Sequence, residues 1–223
     1  MQCALGWACW KTYVGQQEWN RVKNNALVCL SSALGENGQH EAELQLLNVQ
    51  LATALRERFN EITILGVQNN RAACLESLGR LEESLALTRL IYDRRKDLHG
   101  PTHELTLAAG FSLAGSLNRT DDEQREAMAL VQELQPAMRQ VLGESHLLTL
   151  KLDALYGSII YNDRSSTPAD FAAAVPAMED VIRRMKRVLG ASHPSTITSL
   201  SILEGLKKFA WLSEFPRPPP RAR

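Results

Sequence analysis

The ten residues VLGESHLLTL at 141–150 return almost unchanged as VLGASHPSTI at 188–197, and a looser copy, LHGPTHELTL, stands at 98–107. The glycines set the period: Gly100 to Gly143 is 43 residues and Gly143 to Gly190 is 47, with the extra length in the polar stretch NDRSSTPAD. Gly15 lies two periods before Gly100, and the junction between them is degenerate at RERFNEITIL, where Glu61 and Leu65 take the places of His103 and Leu107. A fixed period of this length specifies a stack of like units in which each buries its apolar face against the next. Four units follow, at 16–58, 59–100, 101–143 and 144–190. Residues 1–15 read as the tail of an incomplete leading unit, 191–213 as a closing helix, and 214–223 as a disordered Pro/Arg-rich tail.

Each unit reads as two helices. The junction glycine supplies the left-handed residue that ends a helix, because it has no Cβ to clash. Two residues later, Thr102, Ser145 and Ser192 offer a hydroxyl to the exposed amides of the next helix. The basic runs RRK at 94–96 and RRMKR at 183–187 sit where a helix dipole is negative. The second helix of each unit opens after a polar turn, as in ENGQHEAEL, SLGRLEESL and RTDDEQREAM. In SSTPADFAA, Thr167 is the expected cap, Pro168 the first helical residue and Asp170 the acid facing the open amides. Pro136 and Pro176 lie deeper and are expected to kink their helices. No useful run alternates apolar with polar residues, so the fold class is all-α.

Period alone does not separate the helical repeat families. The residues inside the unit do. Asn70-Arg71-Ala72, Leu75 and Gly79-Arg80-Leu81-Glu82-Glu83-Ser84 resemble the tetratricopeptide (TPR) pattern of a small residue, a leucine three later and a turn glycine four after that. Ser31, Ala114 and Gly157 hold the small-residue place in the other units, and Gly38 repeats the turn glycine. The longer period, with the junction Leu189-Gly190-Ala191-Ser192-His193-Pro194-Ser195-Thr196-Ile197, resembles the extended TPR repeat of kinesin light chains. The resemblance runs from Trp10 to about Lys208 and implies a right-handed α-α superhelix, a TPR-like solenoid. The chain departs from the pattern at Arg71, where a buried leucine is expected, and at Glu43 and Ser84, which hold the small-residue place of the second helix. It shows no heptad coiled coil before the repeats, the segment by which kinesin light chains engage the motor.

Lys+Arg and Asp+Glu both number 25, and this zero net charge speaks against a nucleic-acid binder or a protein held on anionic membrane. No apolar run reaches the length of a membrane span, and MQCALGWACWK has no basic leader, so the expected setting is soluble and cytoplasmic. Cys3, Cys9, Cys29 and Cys74 form no CxxC pair and read as reduced thiols, with no metal site. The repeated His103, His146 and His193 are a helical spacing or more apart, too far to converge on one ion, so a role at the helix start is expected. There is no phosphate loop, no G-x-S-x-G elbow and no dinucleotide fingerprint. An enzyme is not expected, nor a cofactor or a small-molecule substrate. Asn118-Arg119-Thr120 matches a glycosylation acceptor only by chance. Trp7 and Trp10 would lie at an open end of the stack, which implies a fragment or a covering chain. Pro216, Pro219 and Arg221 fit a polyproline ligand pattern in a tail that is otherwise disordered.

The TPR resemblance implies that the first helix of each unit lines a concave groove holding a peptide segment of a partner protein. Counted at helical spacing from Ala72, the groove-facing residues are Asn69, Ala73 and Glu76, with Asn70 at their edge. The same count gives Asn25, Val28 and Ser32, then Phe111, Gly115 and Asn118, then Lys151, Ala154, Ser158 and Tyr161. Asparagine suits such a groove because its amide both donates to and accepts from a peptide backbone. The expected function is a non-catalytic, kinesin-light-chain-like scaffold. The alternatives are a regulatory helical domain detached from an enzyme or zinc-finger protein, and a purely structural assembly solenoid.

Overall fold

A computed structural model describes residues 21–120 and 123–214. Trp7, Trp10, Gly15 and the segment holding Pro216, Pro219 and Arg221 lie outside the described residues. Among those described there are nine helices and no strand: α1 (Arg21–Glu36), α2 (His40–Arg56), α3 (Glu61–Ser77), α4 (Leu81–His99), α5 (Glu104–Arg119), α6 (Gln124–Val141), α7 (Leu147–Asn162), α8 (Pro168–Leu189) and α9 (Pro194–Glu214). The chain divides into two compact units, Met1–Asp93 and Arg94–Arg223, the division falling within α4. Pro136 and Pro176 lie inside α6 and α8, which both continue through them.

Glycine punctuates the helices where the repeat requires it. Gly100, Gly143 and Gly190 have φ of 84°, 92° and 91°, a region nearly closed to residues with a side chain. The degenerate junction keeps the conformation without the glycine: Arg58 stands at φ 52°. Its amide donates to the Leu55 carbonyl and that of Phe59 to Ala54, the bonding that ends a helix in a left-handed residue. A left-handed L-residue costs about 1–2 kcal/mol, against which glycine loses about 0.5–1 kcal/mol of chain entropy. Arg58→Gly is therefore expected to be neutral to stabilising by up to about 1 kcal/mol, read as the shift in a urea unfolding midpoint.

The helix starts differ from the expectation in one respect. The cap at the repeated junction is the histidine, not the hydroxyl before it. The Nδ1 atoms of His103, His146 and His193 accept from the amides of Leu105, Leu148 and Ser195 at 3.1, 3.2 and 3.1 Å. Each ring therefore carries its proton on Nε2. At the degenerate junction Asn60, one residue before Glu61, does the same work, its Oδ1 accepting from Thr63 at 2.9 Å. The threonine three residues after each histidine, Thr106, Thr149 or Thr196, is fully buried. Thr106 donates back to the Arg95 carbonyl and Thr196 to Gly190, tying one helix start to the preceding helix end. The expected capping box at Thr167 and Asp170 is present. The Thr167 hydroxyl and amide, each donating to Asp170 Oδ2 at 2.7 Å, hold that carboxyl below the usual carboxylate range.

Small residues let the paired helices meet. Ser31, Ala72, Ala114 and Gly157 are all buried. In the first unit Leu44, Leu47, Cys74 and Leu75 form a core with Leu78 and Leu87 against it, and Ser84 Oγ donates to the Ala72 carbonyl at 2.9 Å. In the second unit α7, α8 and α9 enclose Leu150, Phe171, Met178, Ile182, Met185 and Leu206. There α5, α7 and α9 pack side by side, with α6 and α8 behind them.

Candidate functional site

The groove residues deduced from the repeat fall on the first helices. In the first unit Asn25 and Ser32 are exposed on α1, and Asn69, Asn70 and Glu76 are half-buried on α3. In the second unit Phe111 on α5 and Lys151 and Ser158 on α7 are half-buried, and Tyr161 is exposed. Asn118 is different. It is 6% exposed, its Nδ2 donates to Ser158 Oγ at 3.1 Å, and its Oδ1 accepts from Asn162 Nδ2 at 3.3 Å. Both ends of that amide are occupied in holding α5 to α7, which leaves Asn118 a spacer between helices. Tyr161 rests its ring on the bare Cα of Gly205, where a Cβ would collide with it. Phe209 of α9 stands 6.0 Å away by ring centroid and also contacts the Phe171 ring at 5.3 Å. The second unit thus presents Phe111, Lys151, Tyr161 and Phe209 along the layer formed by α5, α7 and α9.

The basic run RRMKR is more than a partner for the helix dipole. Arg184 reaches the Asp153 carboxylate at 3.0 Å, Asp180 at 2.9 Å and the Glu144 carbonyl at 3.3 Å. Arg139 and Gln135 complete the bonds to Asp153, at 3.0 and 3.2 Å. Asp153 is 4% exposed, so α6, α7 and α8 converge on a buried carboxylate. A cleft of about 550 Å³ opens above it, lined by Arg139, Glu144, Asp180, Arg183, Arg184 and Arg187. Arg95, in the last turns of α4, reaches across the junction in the same way, its guanidinium donating to the Leu105 carbonyl at 2.9 Å.

One cluster was not legible in the repeat. His40, Glu43 and Cys74 each bring a donor atom within 4.8 Å of the other two. His40 Nδ1 lies 3.2 Å from Glu43 Oε2, and the Cys74 thiol donates to the His40 carbonyl at 3.2 Å. Burial first, then the adjacent Glu43 carboxylate, pushes the thiol up to about 12. Cys29 is exposed and Cys74 buried, and neither is in a disulfide.

No protein-family model matches the sequence, and no curated protein matches it. Solved structures do. The chain superposes on the nearly identical TPR-like repeats of a Podosopora anserina kinesin-light-chain-type protein with a TM-score of 0.67, at 18% identity over 85% of this chain and 87% of that one. The fold is TPR-like. BtubC (BKLC) from P. vanneervenii aligns with the TPR-like chain over 100% of its length and 94% of its own, at 12% identity and a TM-score of 0.64. The helix pairing, the left-handed junctions and the buried small residues are the features of a TPR-like solenoid. No helix among the described residues is long and apolar enough to cross a membrane.

Proposed function

We propose that this TPR-like chain is a non-catalytic scaffold that binds a peptide segment of a partner protein along its first-helix faces, as a kinesin-light-chain-like adaptor. The observation that supports it best is the α5–α7–α9 layer of the second unit. Its helices lie side by side and carry Phe111, Lys151 and Tyr161 with their side chains partly open to solvent. Aromatic rings give large contact area at small entropic loss, and Lys151 supplies a charge to select an acidic residue. Half-buried Gly115 and Ser158 keep the surface between them low. In the first unit the partly exposed amides of Asn69 and Asn70 suit an extended backbone, and Asn25 and Ser32 extend that polar face on α1. Nothing in this reading needs a cofactor.

Selection from a displayed random-peptide library tests it. Peptides captured by the parent chain are expected to lose about tenfold or more in affinity with the double change Asn69→Ala and Asn70→Ala, or with Phe111→Ala and Tyr161→Ala. Circular dichroism establishes that the variants are folded. Peptides that bind folded variants and parent alike, or a library that yields none, would remove the face from consideration.

A further inference from the structure

Glu43 breaks the rule of its own repeat. The equivalent residues in the following units are Ser84, Ala127 and Ala174, and all three are buried and small. Glu43 stands in that close-packed place with its side chain 14% exposed. It fits because the facing residue is Gly35, where an added Cβ would come within 2.8 Å of Oε2 and 3.0 Å of Oε1. A carboxylate so placed is unfavourable without a compensating cation. Arg80, whose charge acts on the Cys74 thiol, is held to Glu83 by bonds of 2.6 and 2.7 Å. What faces Glu43 instead is an imidazole from its own helix and a thiol from α3, 34 residues along the chain. A local rule broken and then accommodated by a matching glycine marks a site under a constraint other than packing.

We propose that His40, Glu43 and Cys74 are the three protein ligands of a zinc-type divalent cation that ties α2 to α3. Imidazole nitrogen, thiolate sulfur and carboxylate oxygen are the donors zinc takes, with bonds of about 2.0–2.3 Å. Tetrahedral geometry then sets the donors about 3.3–3.8 Å apart, so rotation of these side chains by about 1 Å closes the set from its present 4.8 Å limit. The His40 side chain is 27% exposed, and the cation enters from that side with water as fourth ligand. Glu41 adds a second negative charge near the thiol, and Arg80 opposes it. On binding, the Cys74 S–H proton leaves to solvent and a sulfur–metal bond replaces it. His40 binds as neutral imidazole and Glu43 as carboxylate. The ion and the Glu43 carboxylate together carry one positive charge, and loss of the single Cys74 proton brings ion, thiolate and carboxylate to zero.

Cobalt(II) added to the chelator-treated full chain is the test, because a cobalt–thiolate bond has a charge-transfer band that other ligands do not give. One equivalent is expected to develop the band, and zinc to abolish it. Loss of an outer-shell partner alone weakens a metal site about 10–100-fold, so Cys74→Ser should remove the band and His40→Gln should weaken binding beyond about 100-fold. Cys29→Ser should leave both unchanged. His40 is partly exposed, so His40→Gln decides the matter even where Cys74→Ser does not fold. No band at one equivalent, or a band of parental affinity in folded His40→Gln, overturns the proposal.

Discussion

Asp153→Ala is expected to destabilise the chain by about 3 kcal/mol, the largest effect of any single polar substitution described. The Asp153 side chain is 3% exposed and receives Arg139, Arg184 and Gln135. Removing it leaves Arg184, whose side chain is 18% exposed, short of its innermost partner. Asp180 and the Glu144 carbonyl still hold that guanidinium, so the loss falls toward the low end of the range for a broken buried pair. Asp153→Asn keeps one acceptor oxygen, enough for Arg139 and Gln135 or for Arg184 but not for both sides, and sets its amide N–H2 against the remaining guanidinium, so it should also destabilise. In a double-mutant cycle with Arg184→Met, the two losses should sum to more than the double variant loses, with a coupling of about 1–3 kcal/mol. Urea unfolding at equilibrium measures each corner. Additive losses would mean that the carboxylate and the guanidinium are independent.

Gly157→Val is expected to cost about 3 kcal/mol, at the upper end for an overpacked core. A Cβ at residue 157 would collide with the Met178 sulfur and lie 2.6 Å from its Cγ. Met178 is fully buried among Phe171, Ala174 and Ile182, so its side chain has no open direction in which to withdraw. The collision is with the middle of the side chain rather than its tip. Met178→Ala alone opens a cavity at about 2–5 kcal/mol. Combined with Gly157→Val it should return part of that loss, because the new methyls occupy the vacated space. Thermal unfolding of the two single variants and the pair distinguishes this from a helix-propensity effect, which would not depend on residue 178.

What the sequence revealed is what the chain decides locally. Gly100, Gly143 and Gly190 mark junctions because a positive φ excludes other residues, and the Thr167–Asp170 box needs only four consecutive residues. The helix caps lie one residue beyond the hydroxyls because imidazole Nδ1 does the work usually assigned to a hydroxyl, and the pattern T/S-H offers both. Arg58 was hidden for the opposite reason: it takes the glycine conformation without being a glycine. The site residues were less legible still. Asn118 shares helical spacing with groove positions, yet its bonding partners are Ser158 and Asn162, 40 and 44 residues away. His40, Glu43 and Cys74 meet across a similar distance in sequence, and nothing in their separate neighbourhoods announces the meeting.

The convergence on Asp153 has a mechanical meaning. Stacked repeats hold mainly their nearest neighbours, so a chain pulled by its end comes apart one element at a time. Met185 and Leu206 are buried in the contact between α8 and α9, which the Lys207–Glu179 ion pair at 2.6 Å also crosses near the surface. At α8 the load passes to Arg184, which grips α7, the turn before it and its own helix at once. Drawn from the C-terminal side, the second unit should release α9 before α8, with Arg184 acting as the rivet that must shear before α8 follows.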